Sequence, residues 1–283
     1  MGEVTCYVNG AFVPMSEAAL PINDLGIVRG FGVFDLLRTY GLSPFRLDEH
    51  LARLEASAAQ IGLALPWSRA ELTAIVQETY ARNPIPDASI RIVVTGGPSR
   101  TMMMPEGKPS LLVMVQPIAP YGADVYTRGA KTTTTLIERT MATVKSLNYI
   151  GAIVAMQRAA PQGAVEALYL DGQDRLTEGT RANLFVVRHG EVITPRDGVL
   201  KGITRQVVLE LAAQEFVVVE GPIHYRDLQS VDEAFLTSTT KEVLPVVQID
   251  DHQIGNGRPG PVTQRLMELF HAHVAAVCRP VTA

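Results

Sequence analysis

The sequence predicts a two-domain α+β chain. Three observations carry that reading: short β-rich runs joined by tight turns, longer segments with apolar residues at helical spacing, and one stretch interrupted by prolines and glycine. Turns this short join antiparallel neighbours, so antiparallel sheets are expected rather than a doubly wound parallel one.

The elements follow in order. Residues 6–8 and 11–13 flank Asn9-Gly10, the two-residue turn that favours a hairpin. Residues 32–40 mix Val, Phe, Leu and Thr and end at Gly41, with Pro44-Phe45-Arg46-Leu47 as the expected partner strand. The pattern then turns helical. Leu51, Leu54, Ala58 and Ile61 share one face, Asp48 is the expected N-cap and Gly62 marks the far end. Leu72, Ile75, Val76 and Tyr80 give a second helix before Asn83-Pro84. Strands at 89–95 and 111–116 bracket a glycine-, proline- and methionine-rich loop over 96–109.

Pro117-Ile118-Ala119-Pro120-Tyr121-Gly122 reads as an interdomain connection. The expected division is a small N-terminal domain over residues 1–116, a linker over 117–125 and a large C-terminal domain over 126–283. Beyond the linker, strands are expected at 131–137, 166–171, 183–188 and 192–194, with helices at 149–158, 204–214 and 262–277.

Composition narrows the function classes. Twenty-five Lys plus Arg against 29 Asp plus Glu give a formal net charge of -4, with no block of like charge to track nucleic acid or an anionic membrane. A small-molecule ligand is the better expectation. The opening MGEVTCYVNGAFVP has no basic n-region or apolar h-region, and no apolar stretch reaches the roughly 18 residues of a spanning helix, so a soluble, cytoplasmic protein is expected. Cys6 and Cys278 lie in unlike contexts without metal-ligand spacing, and no metal site is expected.

Four local features offer chemistry, each beside a plainer reading. Lys145 stands where a strand-like segment meets the apolar run 150–156; it reads either as a nucleophile toward carbonyls or as a snorkelling surface lysine. Leu200-Lys201-Gly202-Ile203-Thr204-Arg205 is a glycine turn feeding a helix, either a phosphate site or an ordinary capped start. Thr237-Ser238-Thr239-Thr240 offers hydroxyl and amide donors to an oxyanion, or forms a plain hydroxyl-rich turn. Glu178, within Thr177-Glu178-Gly179-Thr180, is a functional carboxylate or a turn residue.

Occurring together and in this order, these features resemble the class IV, or fold-type IV, pyridoxal-phosphate aminotransferases. The resemblance runs from Tyr7 to about Phe270. Its specific parts are Glu49-His50-Leu51-Ala52-Arg53-Leu54, Lys145-Ser146-Leu147-Asn148-Tyr149, Leu176-Thr177-Glu178-Gly179 with Asn183-Leu184-Phe185, Lys201-Gly202-Ile203-Thr204-Arg205, and Ser238-Thr239-Thr240-Lys241-Glu242. It implies a small N-terminal α/β domain, a larger C-terminal domain with a barrel-like sheet, and pyridoxal 5'-phosphate as cofactor. It further implies Lys145 as the Schiff-base lysine and proton carrier, and Glu178 as the partner of the pyridine nitrogen. Arg53, Ile203, Thr204, Ser238 and Thr239 would hold the phosphate, and Tyr149 the ring O3′. The substrates implied are an amino acid and a 2-oxo acid in ping-pong order, in a homodimer whose second subunit completes the site.

Substrate class turns on how the α-carboxylate is trapped. D-amino-acid transaminases of the family have tyrosine where this chain has Phe34, and an arginine-histidine pair in the loop that here reads Pro98-Ser99-Arg100-Thr101-Met102-Met103-Met104. Arg100 matches the arginine, and the histidine is missing. Branched-chain enzymes match Phe34 and Arg91, but carry tyrosine in place of Ser89 and glycine in place of Leu36. The chain offers instead Arg29, Arg91, Arg181 and Lys241, with Thr240 beside the last. This set points to an atypical D-amino-acid transaminase acting on a substrate such as D-alanine or D-glutamate. The alternative is a branched-chain L-amino-acid aminotransferase, followed by an (R)-amine transaminase or an aminodeoxychorismate lyase-like enzyme.

Overall fold

A computed structural model of the chain describes residues 3–278. They divide into two compact units: residues 3–119, 144–148 and 276–278 form the first, and residues 120–143 and 149–275 the second.

The first unit holds β1 (Thr5–Val8), β2 (Ala11–Pro14), α1 (Leu25–Arg29), β3 (Gly32–Tyr40), β4 (Ser43–Pro44), α2 (Leu47–Gln60), α3 (Arg69–Ala81), β5 (Ala88–Thr95) and β6 (Ser110–Pro117). Its six strands run in the order β2-β1-β6-β5-β3-β4, every neighbour antiparallel. β5 alternates buried and half-buried residues, as a strand with one covered face must. Ile90, Ile92 and Val94 meet Leu51, Leu54 and Ala58 of α2 and Leu72 and Val76 of α3 in one core. Each such side chain contributes about 1.5–3 kcal/mol.

Two local expectations are corrected here. The strand that follows β3 and pairs with it is only Ser43–Pro44, because Leu47 already belongs to α2. The N-cap of α2 is Arg46, in the left-handed region at φ 54°, and not Asp48. Asp48 and Glu49 instead lie in the first turn, where carboxylates favour the positive helix end.

The second unit holds α4 (Ala123–Arg128), β7 (Ala130–Leu136), α5 (Ile150–Ala159), β8 (Glu166–Leu170), β9 (Arg175–Gly179), β10 (Asn183–Arg188), β11 (Glu191–Thr194), α6 (Ile203–Ala212), β12 (Val217–Glu220), β13 (Ile223–His224), β14 (Glu233–Ser238), β15 (Glu242–Ile249), β16 (His252–Gln253) and α7 (Pro261–Val277). The strands run β12-β11-β10-β14-β15-β7-β8-β9-β13, and β9 also pairs with β10. That extra pairing, Asn183 opposite Glu178, closes β10-β14-β15-β7-β8-β9 into a barrel. Leu168, Leu176, Leu184, Val186, Leu236 and Leu244 fill its core. The expectation of antiparallel pairing holds for most neighbours. The exceptions are β7 with β8, β7 with β15, and β11 with β12, which are parallel. Among the described residues no helix is long and apolar enough to cross a membrane.

Barrel topology gathers three loops. β10 begins where its partner β14 ends, and β8 begins opposite the end of β9. The turn after Gly179, the turn after Ser238 and the start of β8 at Glu166 therefore share one end of the barrel.

Candidate active site

In the first unit the candidate residues are gathered around β3. Residues 144–148 add an extended segment beside it: Phe34 N–H donates to the Lys145 carbonyl at 2.9 Å and Leu147 N–H to the Gly32 carbonyl at 3.1 Å. Lys145 N–H donates to Ser57 Oγ of α2 at 3.2 Å, and Val144 is fully buried in the core. Gly32 permits this approach, since a Cβ there would lie 2.7 Å from Leu147 Cδ1. The lysine backbone is thus fixed from two elements. Its Nζ lies 4.7 Å from the centroid of the Phe34 ring, and the Arg91 guanidinium lies 5.0 Å from the same ring. One aromatic ring serves two cations.

Beside them is a buried polar triad. Arg53 grips Asp35 with Nε to Oδ2 at 2.9 Å and Nη2 to Oδ1 at 2.8 Å, and His50 Nδ1 lies 2.7 Å from Asp35 Oδ1. Burial opposes the Asp35 charge, but Arg53 and His50 outweigh it and hold the carboxyl well below the usual range. For His50 burial prevails over the attraction of Asp35, and the Arg53 and Lys145 charges add to the lowering. The ring is therefore neutral, and its contact with Asp35 is a hydrogen bond donated by Nδ1–H rather than an ion pair.

In the second unit Glu178 sits at the barrel seam, 3% exposed. Its carboxylate accepts from Arg139, from Asn183 Nδ2 at 3.2 Å and from the Leu200 N–H at 3.1 Å. Asn183 also donates to the Leu200 carbonyl at 2.8 Å and packs against Gly202, where an added Cβ would collide with its Oδ1. Glu178 and the start of α6 are thereby locked to one side chain.

Gly202 is the N-cap of α6, and no side chain caps the helix. The N–H groups of Ile203 and Thr204 precede its first bond, from Gln206 N to the Gly202 carbonyl. Thr237 pairs with Asn183 across β10 and β14, and its buried Oγ1 has no hydrogen-bond partner among the described residues. Thr239, Thr240 and Lys241 form a three-residue hairpin loop closed by the Ser238–Glu242 pair, with Glu242 in the left-handed region at φ 55°. Unsatisfied amides at a helix start, a tight glycine and an orphan hydroxyl suit a phosphate group. This donor set fits pyridoxal phosphate.

Arg181 and Lys241 meet at one further carboxylate. Lys241, 1% exposed, reaches Glu166 at 2.7 Å, and the half-exposed Arg181 lies 3.8 Å from the same oxygen. Burial pushes the Tyr169 hydroxyl up to about 12; the Arg139 charge opposes the rise, and Glu178, Tyr149 and Glu166 add to it. Tyr149 itself is the N-cap of α5.

Of the residues singled out in the sequence, Lys145, Phe34 and Arg91 form one cluster, with Arg53 in the triad. Glu178, Ile203, Thr204, Ser238, Thr239 and Thr240 lie on the strand ends and turns of the barrel unit. Arg29 and Arg100 make local contacts instead. Arg29 is exposed and donates to the Val28 carbonyl, while Arg100 pairs with Glu106 on the surface. Asp35, Ser57, Arg139 and Glu166 carry no local signal of a role in the sequence, while Thr237 was visible as the first residue of the hydroxyl-rich turn. Asn183 was visible only as part of a motif.

Comparison with known proteins bears on this arrangement. A family model described as amino-transferase class IV matches residues 32–249. A Methanocaldococcus jannaschii protein provisionally named a branched-chain-amino-acid aminotransferase is 38% identical over 93% of this chain and 94% of its own length. A D-alanine aminotransferase of Listeria monocytogenes is 33% identical over 96% of both chains. Among solved structures, the T.th. branched-chain amino acid aminotransferase with pyridoxamine 5'-phosphate superposes with a TM-score of 0.91 at 30% identity, covering 99% of this chain and 96% of its own.

Proposed function

The chain belongs to the class IV aminotransferases, which use pyridoxal phosphate, and from that premise we propose that it is a cytoplasmic D-amino-acid transaminase. The donor is an amino acid such as D-alanine or D-glutamate, the acceptor a 2-oxo acid, and the two are handled in ping-pong order. The Phe34 ring with Lys145 and Arg91 both against it carries the amino-acid reading, since it provides a cation for a substrate carboxylate beside the reactive lysine, and the D-hand is supported by Ser89 and Leu36 standing where branched-chain enzymes have tyrosine and glycine.

When bound, the cofactor supplies an electrophilic carbonyl carbon and a ring that absorbs the electron pair left on the substrate α-carbon. Lys145 Nζ holds the cofactor and takes and returns the α-proton, from a backbone that β3 and α2 keep still. Glu178, held by Arg139, Asn183 and the Leu200 amide, presents a fixed carboxylate to the ring nitrogen. Ile203, Thr204, Ser238 and Thr239 would bind phosphate with amides and hydroxyls, Arg53 would join them with a guanidinium already oriented by Asp35, and Tyr149 would meet the ring hydroxyl. Of the cations the sequence offered for carboxylate binding, Arg91 and Arg181 lead; Lys241, beside Thr240, is paired with Glu166, and Arg29 and Arg100 make local contacts.

Exposed apolar side chains support a homodimer: Ile22, Ile27, Met102, Met103 and Met104 in the first unit, Ile150 and Ile153 in the second. A second reading, branched-chain L-amino-acid transamination, is supported by Phe34 and by the 38% identical relative. Assay of the gel-filtered dimer with D-alanine and with L-leucine, 2-oxoglutarate as acceptor in both, separates the two. D-alanine is expected to be the better donor, and turnover of L-leucine alone would replace the first reading with the second.

A further inference from the structure

Glu166 is the only one of the three charged groups in its cluster that no part of the proposed chemistry uses, yet it is fully buried. It begins β8 and reaches across the barrel end. Its Cγ occupies the space that Gly179 leaves open, where an added Cβ would lie 2.8 Å away. Oε1 accepts from Thr180 Oγ1, and Oε2 faces Lys241 Nζ at 2.7 Å and Arg181 Nε at 3.8 Å. The carboxylate therefore ties the turn after Gly179 to the hairpin loop over 239–241, each adjoining in sequence a proposed cofactor donor, Glu178 or Ser238.

The two cations are not equivalent. Lys241 is 1% exposed, within hydrogen-bond distance of Glu166, with its Nζ 5.5 Å from the Tyr121 ring centroid and its carbonyl accepting from Tyr126. Arg181 stands further off at 3.8 Å, with half its side chain in solvent. The half-exposed guanidinium is open to a second carboxylate, while the ammonium, 1% exposed against Glu166, is closed off from one by burial. One anion facing two cations leaves a surplus of one positive charge within this cluster.

Resting on the aminotransferase reading, we propose that Glu166 is a specificity-determining positioning residue. It neutralises Lys241, so that one net positive charge, carried by Arg181, is offered to a substrate carboxylate. Charge counting then orders four proteins by their preference for dicarboxylates over monocarboxylates. Glu166→Gln raises the surplus to two, the double variant Glu166→Gln with Lys241→Met returns it to one, and Lys241→Met alone brings it to zero.

The test is binding of unreactive acids, glutarate against butyrate, to each holoenzyme by calorimetry, with KM and kcat for D-glutamate and D-alanine alongside. Glu166→Gln should raise the glutarate-to-butyrate affinity ratio about tenfold, the scale of one added unit charge near a carboxylate at a protein surface. The double variant should restore the wild-type ratio, and Lys241→Met should fall below it. In the kinetics the change should appear in KM for D-glutamate, with kcat for D-alanine moved much less. A ratio that is the same in all four proteins overturns the proposal. Should Glu166→Gln fail to fold, the double variant, which removes both buried charges together, still decides against Lys241→Met. Equal ratios in those two overturn it as well. Because the calorimetry needs no turnover, failure of the aminotransferase reading shows separately, as a wild type that transfers no amino group from any amino acid.

Discussion

The two halves of the proposed residue set, Lys145 with its neighbours in the first unit and Glu178 with its neighbours in the second, are held together differently. In the first unit, buried charge meets buried charge in Arg53 and Asp35, neutral His50 hydrogen-bonds the same carboxylate, and the Lys145 backbone is bonded to β3 and α2. In the second, Asn183 and Gly202 lock a frame whose amides at the start of α6 and whose Thr237 hydroxyl have nothing inside the frame to bond. A fixed, self-satisfied platform suits a residue that carries a proton. An incompletely satisfied cradle suits an anion that supplies the missing acceptors.

The largest effect should come from the centre of the first half. Lys145→Ala is expected to lower amino transfer roughly a thousandfold or more, measured by progress curves at saturating donor. Its stability should change by less than about 1 kcal/mol, since the pinning bonds are backbone ones. In the wild type, borohydride reduction followed by peptide mass analysis should find the cofactor mass on the Lys145 peptide. Full activity in the variant would remove the platform from the mechanism.

The next effect tests whether the platform depends on matched charge. Asp35→Asn leaves Arg53 without its buried counter-charge, and urea unfolding should show a loss of about 3–5 kcal/mol. The pH dependence has a definite sign. The folded Asp35 carboxyl lies below its unfolded value of about 3.9, so its contribution is full above that pH and is lost as pH falls through it. The stability gap between wild type and Asp35→Asn should be flat near neutrality and narrow below about pH 4. His50 is lowered too, so a separate loss of stability should begin as pH falls below about 6.5, and His50→Gln should remove it. A gap that widens in acid would contradict the triad as drawn.

The same contrast explains what the sequence disclosed. Local periodicity exposes local structure: the alternation of β5 and the Leu51, Leu54, Ala58 face of α2 could be read directly. The helix start could not, because Arg46 caps α2 through a left-handed backbone and not through a side chain that the sequence advertises. Lys145 gave an ambiguous local signal, because its setting is made by pairing with β3, more than a hundred residues away, Val33 with Ser146. Barrel closure is equally non-local. Nothing in Arg175–Gly179 states that Glu178 will face Asn183, or that Arg139 and Leu200 will complete its hydrogen bonds. Motif resemblance reached the members of the site. Partners such as Asp35, Ser57 and Glu166 are ordinary residues made special by contact alone.

The smallest effects draw the sharpest line between the halves, because they make the same chemical deletion in each. Ser57→Ala removes the buried hydroxyl that accepts from the part-buried Lys145 N–H. It should cost about 1–3 kcal/mol whether or not cofactor is present. Thr237→Val removes a buried hydroxyl that has no partner among the described residues. In cofactor-free protein it should be neutral or stabilising by up to about 1 kcal/mol, since an unmet polar group is replaced by an apolar one of the same shape. In the holoenzyme the sign should reverse, with cofactor retention weakened about tenfold, because the hydroxyl then serves the phosphate. Thermal unfolding of both forms of both variants measures all four quantities. If Thr237→Val destabilises the cofactor-free protein as much as Ser57→Ala does, Thr237 is already satisfied within the fold, and the second half is no more open than the first.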